Sequence, residues 1–168
     1  MKSREFIRDS RDIVIIAHNI RSLLNVGSIM RSAEGFGVST VFATGWTPSP
    51  DHGLPHVRKK LTAELHKTAL GAESIVKLSY RDSVNLLLDS LKQDGYRVVG
   101  LEQSSKSIAL PAYKAPAKVA LLLGEEVDGI TPDLLAKCDD LIEIPMFGQK
   151  ESFNVSVATG IALYQLIQ

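Results

Sequence analysis

Apolar and polar positions along this chain switch repeatedly between two periods. Continuous apolar runs at 13–17 and 119–123 predict strands buried on both faces. Shorter strand patterns fall at 39–43, 75–79, 97–101 and 141–146. Between them the period changes to that of a helix. Val26, Ile29, Met30 and Ala33 share one face of a helix over 26–35, with Asn25 as its cap and Gly35 or Gly37 as its stop. Arg31 projects away from the middle of that face. Leu86, Leu87 and Leu91 mark a second helix over about 83–93, capped by Asp82. Thr131-Pro132-Asp133 opens a short helix, and a helix rich in small side chains closes the chain.

Two regions are less regular. Trp46, the prolines at 48, 50 and 55, and Gly53 predict a long loop, followed by short helices at 54–61 and 65–70. Residues 102–116 read mostly as loop. Strands alternating with helices predict an α/β fold, with a largely parallel sheet covered by helices on both faces. Neither an internal repeat nor a dividing linker is evident, so residues 1–168 read as a single domain.

Composition narrows the class. Hydrophobic residues make up 45% of the 168 positions and charged residues 23%, the balance of a soluble globular chain. The formal net charge is zero. That weakens a nucleic-acid role without removing it, because phosphate binding needs only a local basic surface. Lys2, Arg4, Arg8, Arg11, Arg21 and Arg31 lie early, followed by Arg58-Lys59-Lys60, whereas acids gather between Glu125 and Glu143. The single Cys138 excludes an internal disulfide and a cysteine metal cluster. It suits a reducing, cytoplasmic setting. The first twelve residues carry no apolar run resembling a secretory signal, and no stretch approaches the ~18 apolar residues of a membrane span.

Three polar clusters carry candidate chemistry. Asn25, Gly27 and Arg31 describe either a capped helix with a solvated arginine or an anion site at a helix start just past a strand. Gly124-x-Glu126-x-x-Gly129 matches neither the dinucleotide fingerprint nor a phosphate loop. It is an ordinary tight turn or one where backbone closely approaches a ligand. Ser152 is a candidate helix cap, with Asn154 in the first turn. The small-residue helix after them suits close packing within one chain, a dimer seam, or both. His52 and His56 have the spacing of a metal pair, but prolines interrupt the stretch and no third ligand is evident, so no metal is expected. Cys138 beside Asp139 and Asp140 reads as structural, because acids disfavour a thiolate.

Taken together, the clusters resemble the signature motifs of the SPOUT methyltransferases, in the TrmH (SpoU) branch. The first runs from Asn25 through Arg31 to Gly37, the second from Leu122 to Ile130, and the third from Ile144 through Ser152-Phe153-Asn154 to Ala158. Their order and separation match over nearly all of residues 13–168. The resemblance implies an α/β knot, with a C-terminal deep trefoil in about 118–168, a rare exception to unknotted connectivity. It implies a homodimer through that region, and S-adenosylmethionine held by Leu101, Gly124, Ile144 and Phe153, the last usually leucine in the family. The implied reaction is methyl transfer to a ribose 2′-hydroxyl of tRNA or rRNA. Arg31 is then the central catalytic residue, as a base assisted by RNA phosphate or as a stabiliser of the oxyanion. Asn25, Glu126, Ser152 and Asn154 shape the site and place the ribose. Two rivals remain: a non-catalytic RNA-binding dimer of the same fold, and a nucleotide-binding oxidoreductase.

Overall fold

The computed structural model describes residues 11–50 and 54–168. Lys2, Arg4 and Arg8, and the loop residues 51–53 with His52, lie outside the described residues. The strands are β1 (Asp12–His18), β2 (Thr40–Thr44), β3 (Lys77–Arg81), β4 (Arg97–Leu101), β5 (Ile108–Ala109), β6 (Lys118–Leu123) and β7 (Asp140–Glu143). They form one sheet in the order β3-β2-β1-β6-β4-β7-β5. Every pairing is parallel. All the carboxyl ends therefore emerge at one edge.

The helices are α1 (Leu23–Gly35), α2 (Pro55–Ala69), α3 (Val84–Gln93), α4 (Pro132–Leu135) and α5 (Val155–Leu166). The central strands feed two cores by alternation. Ile13, Ile15, Ala17, Val119, Leu121 and Leu123 face the core shared with α1, α2 and α5. Val14, Ile16, Ala120 and Leu122 face the core shared with α3 and α4. Burial on both faces is why β1 and β6 read as unbroken apolar runs.

Several boundaries differ from the sequence reading. Ser22, not Asn25, caps α1; its hydroxyl accepts the Asn25 N–H at 3.3 Å, leaving the Asn25 side chain free for other work. The two short helices expected at 54–61 and 65–70 are one helix, α2, with Pro55 in its first turn. Its midsection carries few apolar residues because only Leu65 and Ala69 are buried. Ser83 rather than Asp82 caps α3. β3 begins two residues later than expected, and β7 ends at Glu143, before Pro145, which has no N–H to donate to a ladder. The short strand β5 lies in the stretch expected as loop.

Gly27 has a packing role. A Cβ there would lie 2.1 Å from Thr68 Oγ1, 2.7 Å from the Leu65 carbonyl oxygen and 3.0 Å from the Ala69 nitrogen. Thr68 also donates its hydroxyl to the Leu24 carbonyl at 2.8 Å. The backbones of α1 and α2 thus cross almost in contact. Gly27→Ala is expected to destabilise the fold by about 1–3 kcal/mol, the usual cost of overpacking. A lower urea midpoint at unchanged slope would show it, and a wild-type midpoint would refute it.

At the opposite edge Asp140 joins β7 to β4. It accepts from Arg97 Nη2 at 2.9 Å, from Arg97 Nε, and from the Tyr113 hydroxyl at 2.8 Å. The bond from Arg97 holds the carboxyl below its ordinary value, against the upward push of burial. A depressed folded-state value stabilises above the unfolded pKa of about 4 and is lost as pH falls through the folded value. Asp140→Asn should therefore cost stability at neutral pH, with the gap to wild type closing below about pH 4. Urea midpoints across pH 2–7 test this; a gap independent of pH would contradict it.

Candidate active site

A cleft of about 400 Å³ opens at the carboxyl edge of the sheet over β4, β6 and β7. Its size lies within the range of small-molecule sites. The four residues that the resemblance assigns to a cofactor, Leu101, Gly124, Ile144 and Phe153, all line it, as do Glu126, Ser152 and Asn154. Six carboxylates line it: Glu102, Glu125, Glu126, Asp128, Glu143 and Glu151. Among the described residues no lysine or arginine does. Leu101, Ile144 and Phe153 add an apolar wall.

The loop after β6 folds back on itself. Glu125 and Gly129 exchange backbone hydrogen bonds at 3.1 and 3.0 Å. A Cβ at Gly124 would fall 2.4 Å from the Gly129 carbonyl carbon and 2.5 Å from the Ile130 nitrogen. Gly124 is therefore demanded by the closure of its own loop. A side chain there would first open the turn. Gly129 sits at φ 68°, and a Cβ on it would lie 2.2 Å from Glu102 Oε2.

Glu102 itself was missed in the sequence, where it reads as the start of a polar loop. Standing just past β4, it accepts the Ile130 N–H through Oε2 at 2.8 Å and the Gln103 N–H through Oε1 at 3.0 Å. It ties the β4 end to the glycine loop across the floor of the cleft. The available signal was position, an acid directly after an apolar strand at the binding edge.

The three motifs meet through side chains. Asn25 Nδ2 donates to Glu126 Oε1 at 3.1 Å, and Asn154 Nδ2 donates to Asn25 Oδ1 at 3.2 Å. Asn154 Oδ1 in turn accepts the Ser156 N–H at 2.9 Å and the Ser156 hydroxyl at 2.6 Å. Asn154 is thus the cap of α5, and Ser152 stands before the helix, the reverse of the roles read from sequence. A carboxylate at one end and a helix start at the other fix both amide orientations. Arg31 is not brought to this network. It is exposed on α1 and does not line the cleft, and its guanidinium makes no hydrogen bond or ion pair with a described residue. It lies about 9 Å farther along the helix axis than Asn25, at 1.5 Å per residue.

Nearby groups complete the electrostatics. Arg21 Nη2 pairs with Glu125 Oε1 at 3.1 Å. His18 Nδ1 lies 2.8 Å from Thr44 Oγ1, and burial lowers its pKa, with Glu125 partly opposing the shift. Cys138 is far from reactive: burial, more than the adjacent Asp139, pushes its thiol up to about 11. The sequence reading had the direction, but not the main cause. Among the described residues no group of three or more His, Cys, Asp or Glu is placed to hold a metal. No helix there is long and apolar enough to cross a membrane.

The SpoU rRNA methylase family description matches residues 12–164. This chain belongs to that family. Among SpoU relatives it is 28% identical over 156 residues to the tRNA (guanosine(18)-2′-O)-methyltransferase of Borreliella burgdorferi, covering 92% of this chain and 66% of that one. It is 31% identical over 159 residues to the 23S rRNA (guanosine-2′-O-)-methyltransferase RlmB of Salmonella typhi, covering 94% and 60%. The fold matches the AdoMet-bound rRNA methyltransferase of Sinorhizobium meliloti with a TM-score of 0.80 at 22% identity, covering 92% of this chain and 55% of that one. The chain therefore spans about two thirds or less of the length of these SpoU relatives.

Removing the Glu102 carboxylate should loosen the glycine loop. In Glu102→Ala, amide hydrogen exchange at Ile130 and its loop is expected to accelerate about tenfold, equivalent to one hydrogen bond of about 1–1.5 kcal/mol. Exchange in β6 should stay as it was. Unchanged protection at Ile130 would remove Glu102 from this role.

Proposed function

We propose that this chain transfers the methyl group of S-adenosylmethionine to a ribose 2′-hydroxyl of tRNA or rRNA. The observation that carries the reading is the charge of the cleft. Among the described residues, six carboxylates and no cation line a space with an apolar wall. A sulfonium–ammonium ligand with an adenine ring fits that lining. The pyrophosphate of a nicotinamide dinucleotide would face a net negative lining there, even with Glu125 paired to Arg21, which counts against the oxidoreductase rival. Leu101, Ile144 and Phe153 would hold the adenine, and the backbone of the loop at Gly124 would approach it.

When bound, the cofactor supplies a methyl group already activated by its sulfonium. The protein's task is then alignment and handling of the hydroxyl proton. Asn25, Glu126 and Asn154 form a rigid polar edge on which a ribose can be placed, with Ser152 beside it. That intact network also favours catalysis over a non-catalytic RNA-binding dimer. Arg31 acts in a second subunit's site, as a phosphate-assisted base or as an oxyanion stabiliser. Exposed Val157, Ile161 and Tyr164 on α5, spaced by four and three residues, supply an apolar seam for such a homodimer. The threaded C-terminal knot of the family belongs to the same reading. β6 enters the middle of the sheet, β7 lies outside β4, and α5 returns to pack against α1. A cytoplasmic location accords with an RNA substrate.

The deciding assay uses methyl-labelled S-adenosylmethionine with separate pools of unmodified tRNA and rRNA, followed by alkaline digestion. A 2′-O-methyl group blocks cleavage at its own 3′ phosphodiester, so label should appear in alkali-resistant dinucleotides from one pool. Label in mononucleotides would mean base methylation and end the ribose assignment. Arg31→Ala should lose at least about 100-fold in turnover, on the scale of removing one transition-state contact. Its dimer and cofactor affinity should persist; a near-normal rate would reject the role.

A further inference from the structure

At the same edge as the cleft, the turn after β2 holds an indole out into solvent. Trp46 is 74% exposed and is the only tryptophan in the chain. Its backbone is far from loose. The Trp46 N–H donates to Asn19 Oδ1 at 2.9 Å, and Asn19, at φ 56°, donates its own N–H to the Thr44 carbonyl at 3.2 Å. On one side Gly45, at φ 62°, leaves no room for a Cβ, which would lie 2.1 Å from Asn19 Oδ1. Its carbonyl accepts the Tyr80 hydroxyl at 3.1 Å. On the other side buried Thr47 donates to the Ala17 carbonyl at 2.8 Å and accepts the Ile20 N–H at 2.9 Å. The turn is anchored on both sides of a large apolar ring that no other described residue covers.

Charge and position indicate what covers it. In β3, Tyr80 and Arg81 pair in register with Ala43 and Thr44. The Arg81 guanidinium lies 5.2 Å from the centre of the Phe42 ring and donates to Ser79 Oγ at 2.7 Å and the Tyr80 carbonyl at 3.0 Å. None of these partners is an anion, so its charge remains available to a phosphate. β2 stands two strands from β6, which carries the glycine loop, a separation of about 10 Å. The link is also physical: Asn19 belongs to the loop whose Arg21 pairs with Glu125 beside the cleft. One lip of the site is therefore acidic and the other aromatic and cationic.

We propose that Trp46 is a stacking platform for an unpaired nucleobase of the RNA, next to the nucleotide whose ribose is methylated, with Arg81 on the adjoining phosphate. This rests on the RNA methyltransferase reading above. An aromatic face serves any base, so the platform fixes the placement of a splayed strand more than its sequence. The backbone of the turn is already held in place, so stacking has to order only the side-chain rotamers of the ring.

Because Trp46 is the sole indole, its emission reports the platform directly. Unmodified bulk tRNA and a short oligoadenylate are expected to quench it, and an abasic sugar-phosphate oligomer of equal length is not. In Trp46→Ala, affinity for labelled tRNA should fall about 5- to 100-fold, the range for losing one stacked base. Trp46→Phe keeps a ring and should recover most of it. Sedimentation and S-adenosylmethionine calorimetry should match wild type in both variants. Wild-type tRNA affinity in Trp46→Ala, with no quench, overturns the platform while leaving the methyltransferase reading intact. Loss of the dimer in Trp46→Ala overturns it by assigning the indole to the subunit seam. Failure of the wild-type protein to bind or methylate either RNA pool brings down the methyltransferase reading, and the platform with it.

Discussion

The pairing of β1 with β6 is the constraint on which the rest depends. Six aligned residue pairs, from Asp12 with Lys118 to Ala17 with Leu123, join segments far apart in the chain. Because the pairing is parallel, both strands release their chains at the same edge. The loop carrying Asn19, Arg21 and Asn25 thereby lies beside the loop carrying Glu125 and Glu126. The ion pair from Arg21 and the hydrogen bond from Asn25 follow from that adjacency. An antiparallel pairing would have sent the two loops to opposite ends.

Around this axis the chemistry divides laterally. The strands on one side, β4 and β7, bring acids and apolar side chains to a concave space. The strands on the other, β2 and β3, bring an indole, a phenol and a guanidinium to an open lip. Each glycine in the machinery answers to a different neighbour. Gly27 admits a helix, Gly124 admits its own loop, and Gly129 admits the Glu102 carboxylate. The same residue type therefore marks helix crossing, turn closure and tethering, and only the neighbouring atoms distinguish them.

Much of this was legible before the structure, and the misreadings have physical reasons. Central strands were legible because burial on two faces leaves an apolar run with no other explanation. The fusion of two expected helices into α2 was not. That helix rests on α1 through Leu65 and Ala69, so most of its length carries no apolar period. The caps were misassigned for a related reason. A serine and an asparagine stand near the start of both α1 and α5, and local sequence ranks them almost equally. With Ser22 as the cap, the Asn25 side chain is taken up by Glu126, 101 positions away, and that of Asn154 reaches Asn25, 129 positions away. The cleft residues named from motif resemblance converged on one space. The separation of Arg31 from that space, and the tether through Glu102, depend on helix phase and loop closure that motif order does not encode.

The central pairing also has a consequence in time. A ribosome extends a chain at about 5–20 residues per second, so roughly one hundred residues separating two strands is a delay of about 5–20 s. Throughout it β1 is a finished apolar strand whose inner neighbour has not been made. β2 and β3 can line up on one side of it, but the other edge stays open to any strand that will pair. Once Lys118 to Leu123 arrive, they must enter between segments already synthesised rather than add at the rim. The feature that assembles the site thus makes folding slow, places its decisive step late in synthesis, and leaves the nascent chain dependent on being shielded until then.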